Sequence, residues 1–110
     1  MNQDLTHLKY ILGQIKNLKK ISIRDRNDIA IELACQKLLE NIGESCSKIS
    51  KELKKQFPEI MWKEIVGMRN ILIHNYFGVD SSEVWEAVDN DIVTLEKQIK
   101  NIIKTIKQNA

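Results

Sequence analysis

Apolar residues recur every three or four positions along nearly the whole chain, the period of a helix with one buried face. Leu5, Leu8, Ile11, Leu12, Ile15 and Leu18 predict a first helix over residues 3–20. The polar, cap-rich segment Ser22 to Asn27 predicts a turn. A second stripe through Ile31, Cys35, Leu38, Ile42, Cys46, Ile49 and Leu53 predicts one long helix over 27–56. Gly43 lies inside it and weakens it by up to about 1 kcal/mol relative to alanine unless close packing compensates. Phe57-Pro58 stops that helix, because the residue before proline avoids helical angles and proline lacks the N–H that continues the ladder.

A third helix is predicted from Trp62 to Phe77, with Gly78 suited to its C′ position. Asp80-x-x-Glu83 then makes a variant capping box, with aspartate in the usual Ser/Thr place. The fourth helix carries Val84, Val88, Ile92, Leu95, Ile99, Ile102 and Ile106 on one face. Nothing reads as a strand, a repeat or a low-complexity linker. Four amphipathic helices joined by short turns predict an all-α antiparallel four-helix bundle, a single domain over 1–110.

Composition narrows the function classes only a little. A chain of 110 residues is long enough for one core and too short for two. A net charge of +2 neither supports nor excludes an RNA partner. No apolar run approaches the roughly 18–20 residues of a membrane span. The start, Met-Asn-Gln-Asp-Leu-Thr-His, lacks the basic and apolar segments of a signal peptide, so cytoplasmic residence is expected. Cys35 and Cys46 would lie about 16 Å apart along one helix, too far for a disulfide, and are expected as buried, reduced thiols. With only His7 and His74 besides, no metal-ligand cluster forms, and no cofactor is expected.

Lysines 16, 19 and 20, lysines 51, 54 and 55, and lysines 100, 104 and 107 gather where helices close, while Asp80, Glu83 and Glu86 sit where the fourth begins. That distribution complements helix dipoles and needs no ligand to explain it.

The chemistry concentrates in Met68-Arg69-Asn70-Ile71-Leu72-Ile73-His74-Asn75-Tyr76. Arginine grips phosphate with a permanently charged fork, and histidine trades protons near neutral pH. Arg69 and His74 differ by five positions, about 140° on an ideal helix, whereas Asn70 and His74 share a face. Arg69 meets His74 if its side chain wraps round, if the helix end reorients His74, or if a two-fold partner supplies the other half. Trp62 and Trp85 are expected as core or interface anchors. Gly67 is expected to permit close helix approach, Arg69 to have Glu64 or Asp80 as a structural ion-pair alternative, and His7 to be a surface residue without a role.

Residues 38–95 resemble the HepT-like branch of the HEPN (higher eukaryote and prokaryote nucleotide-binding) family. The matching stretches are Glu40-Asn41-Ile42-Gly43-Glu44, Phe57-Pro58-Glu59-Ile60-Met61-Trp62, Ile65-Val66-Gly67-Met68-Arg69-Asn70, His74-Asn75-Tyr76-Phe77, Val79-Asp80 and Val84-Trp85. The family's R-x4-H-x-Y signature falls on Arg69, His74 and Tyr76. Met61 stands where many relatives carry proline, a departure that touches only the turn. The first 37 residues match by helical pattern alone.

The resemblance implies a helical homodimer with two R-x4-H motifs facing one cleft. It further implies a metal-independent endoribonuclease toxin, encoded beside a minimal nucleotidyltransferase antitoxin that transfers AMP to the motif tyrosine. Arg69 and His74 are then the catalytic pair, Asn70 a supporting residue, and Tyr76 the AMP acceptor. The competing expectation is a catalytically silent adaptor that binds the nucleotidyltransferase and its substrate.

Overall fold

In the computed structural model, residues 2–74 and 80–109 are described, the side chains of Asn2 and His74 excepted. The described residues form helices α1 (Asn2–Ser22), α2 (Ile29–Ser47), α3 (Lys51–Gln56), α4 (Trp62–His74), α5 (Ser81–Glu86) and α6 (Ile92–Gln108), with a π turn at Ala87–Asp91 between the last two. There is no strand among them. The all-α bundle expected from the periodicity is present, built from α1, α2, α4 and the α5–π–α6 rod.

The predicted stripes form the core. Leu8, Ile11, Ile15, Ile42, Ile99 and Ile102 are wholly buried, and Leu18, Leu39 and Leu95 nearly so, where α1, α2 and α6 meet. Each such side chain contributes about 1.5–3 kcal/mol by leaving water. Cys35 and Cys46 are both free and buried within α2. Burial pushes the Cys46 thiol up to about 12, so it packs as an unreactive apolar group.

The long second helix is corrected: it breaks after Ser47 and restarts at Lys51. Ser50 is the new N-cap, in extended geometry at φ −62° and ψ 151°, and its side chain accepts from the Leu53 N–H. Ser50 also donates its backbone N–H (2.8 Å) and its hydroxyl (2.6 Å) to the two carboxylate oxygens of Asp4. Asp4 is almost fully buried, so these bonds satisfy a group that would otherwise be costly to enclose. Ile49 and Leu53 stay buried through the break, which is why the stripe concealed it.

The fourth helix is corrected in a similar way. Val84, Val88 and Ile92 recur in steps of four, which on an ideal helix rotates the apolar face by about 40° per step. The wider π turn absorbs this drift and keeps all three buried. Asp80 caps α5 as expected, but through the Ser82 N–H, one position earlier than a capping box uses. Hydrogen bonds from the Ser82 hydroxyl and backbone hold the Asp80 carboxyl below its usual range.

Arg26 fastens the α1–α2 turn to the π turn. Its two Nη atoms each donate to Asp89 at 2.8 Å, its Nε donates to the Ser22 carbonyl at 2.9 Å, and its guanidinium lies 4.4 Å from the Trp85 ring centre. Trp62 is buried at the start of α4 and donates Nε1–H to the Phe57 carbonyl. Both tryptophans thus serve packing, as expected. Phe57 caps the end of α3, as the Phe57-Pro58 stop requires.

Candidate functional site

Arg69, Asn70 and His74 lie on α4, which packs chiefly along α2. The close approach is made at Gly43: a Cβ there would fall 2.4 Å from the Arg69 Cβ and 3.1 Å from the Ile65 carbonyl oxygen. No side chain larger than hydrogen fits without moving α4, so the propensity penalty of this glycine has its compensation in packing. Gly67, expected to serve that purpose, has nothing within 4 Å of its would-be Cβ. That expectation was wrong: the glycine that matters faces Arg69 from α2.

Seating Arg69 against Gly43 directs its guanidinium along α2 to Glu44. Nη1 lies 3.0 Å from the Glu44 Oε2, with Arg69 22% exposed at its side chain. Glu44, rather than Glu64 or Asp80, is therefore the ion-pair partner. The fork is half embedded, so its orientation is fixed while one edge still meets solvent. Among the described residues its Nε is buried with no hydrogen-bond partner. An unmet buried donor of this kind costs about 1–3 kcal/mol, and such groups collect where a site is being held in place. Glu44 also lies 3.9 Å from the Lys48 Nζ one turn on, so one carboxylate stands between two cations.

Asn70 is exposed on α4. The helix continues unbroken through His74, its last residue, so the backbone keeps the five-residue offset of about 140° between Arg69 and His74. The alternative in which the helix end near Gly78 reorients His74 falls on residues outside the described ones. The His74 side chain and Tyr76 lie outside the described residues, as do Gly78 and the end of the predicted third helix. Among the described residues no three His, Cys, Asp or Glu side chains are grouped to hold a metal ion. No helix there is long and apolar enough to cross a membrane.

Sequence reasoning missed Glu44 and the neighbourhood of His7. Glu44 follows Gly43 directly, so a glycine that admits a cationic helix beside a ready carboxylate was the available signal. His7 is half-buried, not a bare surface group, and lines a notch with Tyr10, Asn41, Glu44 and Lys48. Nothing in the α1 pattern foretells that, because the notch exists only where α1 meets α2. On the other side of α4, an apolar groove of about 410 Å³ runs toward α6, lined by Met61, Ile65, Met68, Ile92 and Leu95.

Residues 8–102 match the family described as Ribonuclease HepT-like. "Putative RNase TTE0752" from Caldanaerobacter subterraneus subsp. tengcongensis is 39% identical over 106 residues, 92% of this chain and 95% of that protein. "Putative RNase MJ1216" from Methanocaldococcus jannaschii is 44% identical over 81 residues, 74% of this chain and 67% of that protein. "Probable ribonuclease HepT" from Thermococcus cleftensis is 39% identical over 77 residues, covering 70% of each. No solved structure matches.

Proposed function

Because the chain belongs to the HepT-like ribonuclease family, we propose that it is a metal-independent endoribonuclease with Arg69 and His74 as its catalytic pair. The observation that carries this reading is the seating of Arg69. Gly43 and Glu44 hold a guanidinium of a partly exposed side chain in one orientation, as a phosphate-binding fork requires.

In the proposed reaction, His74 takes the proton of a ribose 2′-hydroxyl and the 2′-oxygen attacks the adjacent phosphorus. The bond to the 5′-oxygen breaks, and that oxygen takes a proton from water. The products are a 2′,3′-cyclic phosphate and a 5′-hydroxyl. A positioned proton carrier of this type contributes about 10²–10⁴ in rate. Arg69 pairs with the non-bridging oxygens, whose charge grows in the transition state. Asn70, exposed on the same face of α4 as position 74, hydrogen-bonds phosphate or holds His74 in one tautomer.

The angular offset of Arg69 and His74 along an unbroken helix favours a site completed by a second copy. The chain acts, in this reading, as the toxin of a pair. A minimal nucleotidyltransferase antitoxin silences it by placing AMP on Tyr76, a bulky anion beside the Arg69 phosphate site.

Digestion of single-stranded RNA in excess chelator tests the chemistry. Cyclic phosphate and 5′-hydroxyl ends, lost in Arg69→Ala and His74→Ala, are expected. A requirement for Mg²⁺ with 5′-phosphate ends would overturn the mechanism. Mass spectrometry after incubation with ATP and the nucleotidyltransferase tests Tyr76: AMP on that residue, absent from Tyr76→Phe, is the expected result.

A further inference from the structure

Beside the Arg69–Glu44 pair, the seam between α1 and α2 opens into a notch of about 300 Å³ whose walls include His7, Tyr10, Asn41, Glu44 and Lys48. Its volume lies at the low end of small-ligand sites. We propose that this notch is an RNA subsite, holding a nucleotide that flanks the phosphate bound by Arg69. The inference rests on the ribonuclease reading of the Arg69 site and adds where the rest of the strand runs.

Three observations carry it. First, no aliphatic side chain lines the notch, in contrast to the groove on the far side of α4. A lining of aromatic and stem carbon tipped with polar groups suits a flat base with polar edges. Second, Tyr10 is a large aromatic left 47% exposed in that lining. An open ring face there offers a stacking platform for a base of any sequence. Third, the notch shares Glu44 with the Arg69 site, and Glu44 is flanked by the two cations Arg69 (3.0 Å) and Lys48 (3.9 Å). Neighbouring phosphates of one strand can reach both cations.

The remaining groups suit the sugar and base. The Asn41 Nδ2 already donates to the Gln14 Oε1 at 3.0 Å, which leaves its carbonyl oxygen free to accept from a base edge. The Glu44 carboxylate accepts a ribose 2′-hydroxyl, the group that separates RNA from DNA. His7, one turn before Tyr10 on α1, closes the notch on its outer side.

Tyr10 is 47% exposed and Lys48 56% exposed at its side chain, so replacing either leaves the core intact. The test has two arms. In the first, a fluorescein-labelled single-stranded oligoribonucleotide of mixed sequence is titrated with wild type, Tyr10→Ala, Tyr10→Phe and Lys48→Ala. Tyr10→Ala is expected to weaken binding about tenfold, with Tyr10→Phe retaining it. Lys48→Ala is expected to lower the salt slope by about one.

In the second arm, substrates are lengthened one nucleotide at a time on either side of the cleaved bond. Wild type is expected to gain affinity on one side only. Tyr10→Ala loses that gain through KM and keeps kcat. If RNA is cleaved but Tyr10→Ala and Lys48→Ala match wild type at every length, the subsite is overturned and the nuclease reading stands. If nothing is cleaved yet Tyr10→Ala still loses binding, the nuclease reading fails and the notch stands as an RNA-binding site alone.

Discussion

The two faces of α2 bear different burdens. On one, α1 packs along the helix, and Ile42 and Cys46 are wholly buried. On the other, α4 packs closely at Gly43, yet keeps Ile71 exposed and leaves an apolar groove toward α6. The first seam supplies stability, and the second supplies a fixed guanidinium at the surface. Such a division allows a site to be shaped, or shared with a second copy, without unpacking the fold.

Truncation on each side should separate the two roles most sharply. Ile99→Ala removes a wholly buried side chain and is expected to cost about 2–5 kcal/mol in denaturant unfolding. The same truncation at Ile71, 53% exposed on α4, is expected to cost less than about 0.5 kcal/mol. A large loss at Ile71 would mean that the open face of α4 is covered in solution.

The glycines give the next contrast. Gly43→Ala places a methyl against the Arg69 Cβ and the Ile65 carbonyl, so α4 must shift. A cost of about 1–3 kcal/mol is expected, together with loss of cleavage as Arg69 moves. Gly67→Ala meets open space and is expected to stabilise the helix by up to about 1 kcal/mol with cleavage intact. Equal effects at the two glycines would break the comparison.

A subtler change keeps the packing and alters only the orientation of Arg69. Glu44→Gln removes the charge that holds the fork, with stability altered by less than about 1 kcal/mol because the pair is partly exposed. Cleavage is expected to fall ten- to a hundredfold, about the cost of a misplaced group, in kcat more than in KM. A kcat equal to wild type would show that Glu44 does not position Arg69.

A pH-dependent effect belongs to Asp89, away from α4. The hydrogen bonds from Arg26 hold its carboxyl below the usual range. A lowered folded-state value means that its contribution is present above the ordinary carboxylate pKa and fades as pH falls through the folded value. Asp89→Asn is expected to cost at most about 1 kcal/mol at neutral pH, given its exposure, and nothing in strong acid. A loss independent of pH would assign that contact to packing on Trp85 instead.

Much of this was legible in the chain. The stripes from Leu8 to Leu18 and from Leu95 to Ile102 are the core, and the motif on α4 led to the family. What escaped depends on residues distant in sequence. The break before Lys51 is stabilised by Asp4, 46 positions away, while Ile49 and Leu53 keep the spacing of a continuous helix. The π turn was hidden by a stripe whose steps of four suit a helix almost as well. Gly43 and Gly67 look alike until α4 is laid on α2, and His7 gains neighbours only when α1 meets Lys48. Periodicity reports which face is buried, not which atoms meet across it.

The central claim is that the chemistry of α4 is completed by a second copy, and complementation tests it most directly. Arg69→Ala and His74→Ala proteins are purified separately, unfolded together, refolded as a mixture and assayed for cyclic-phosphate product. A site that takes Arg69 from one copy and His74 from the other predicts that two inactive proteins regain about a quarter of wild-type activity, from the half of dimers that carry one intact site. A mixture as inactive as its components, with heterodimers present, would contradict it.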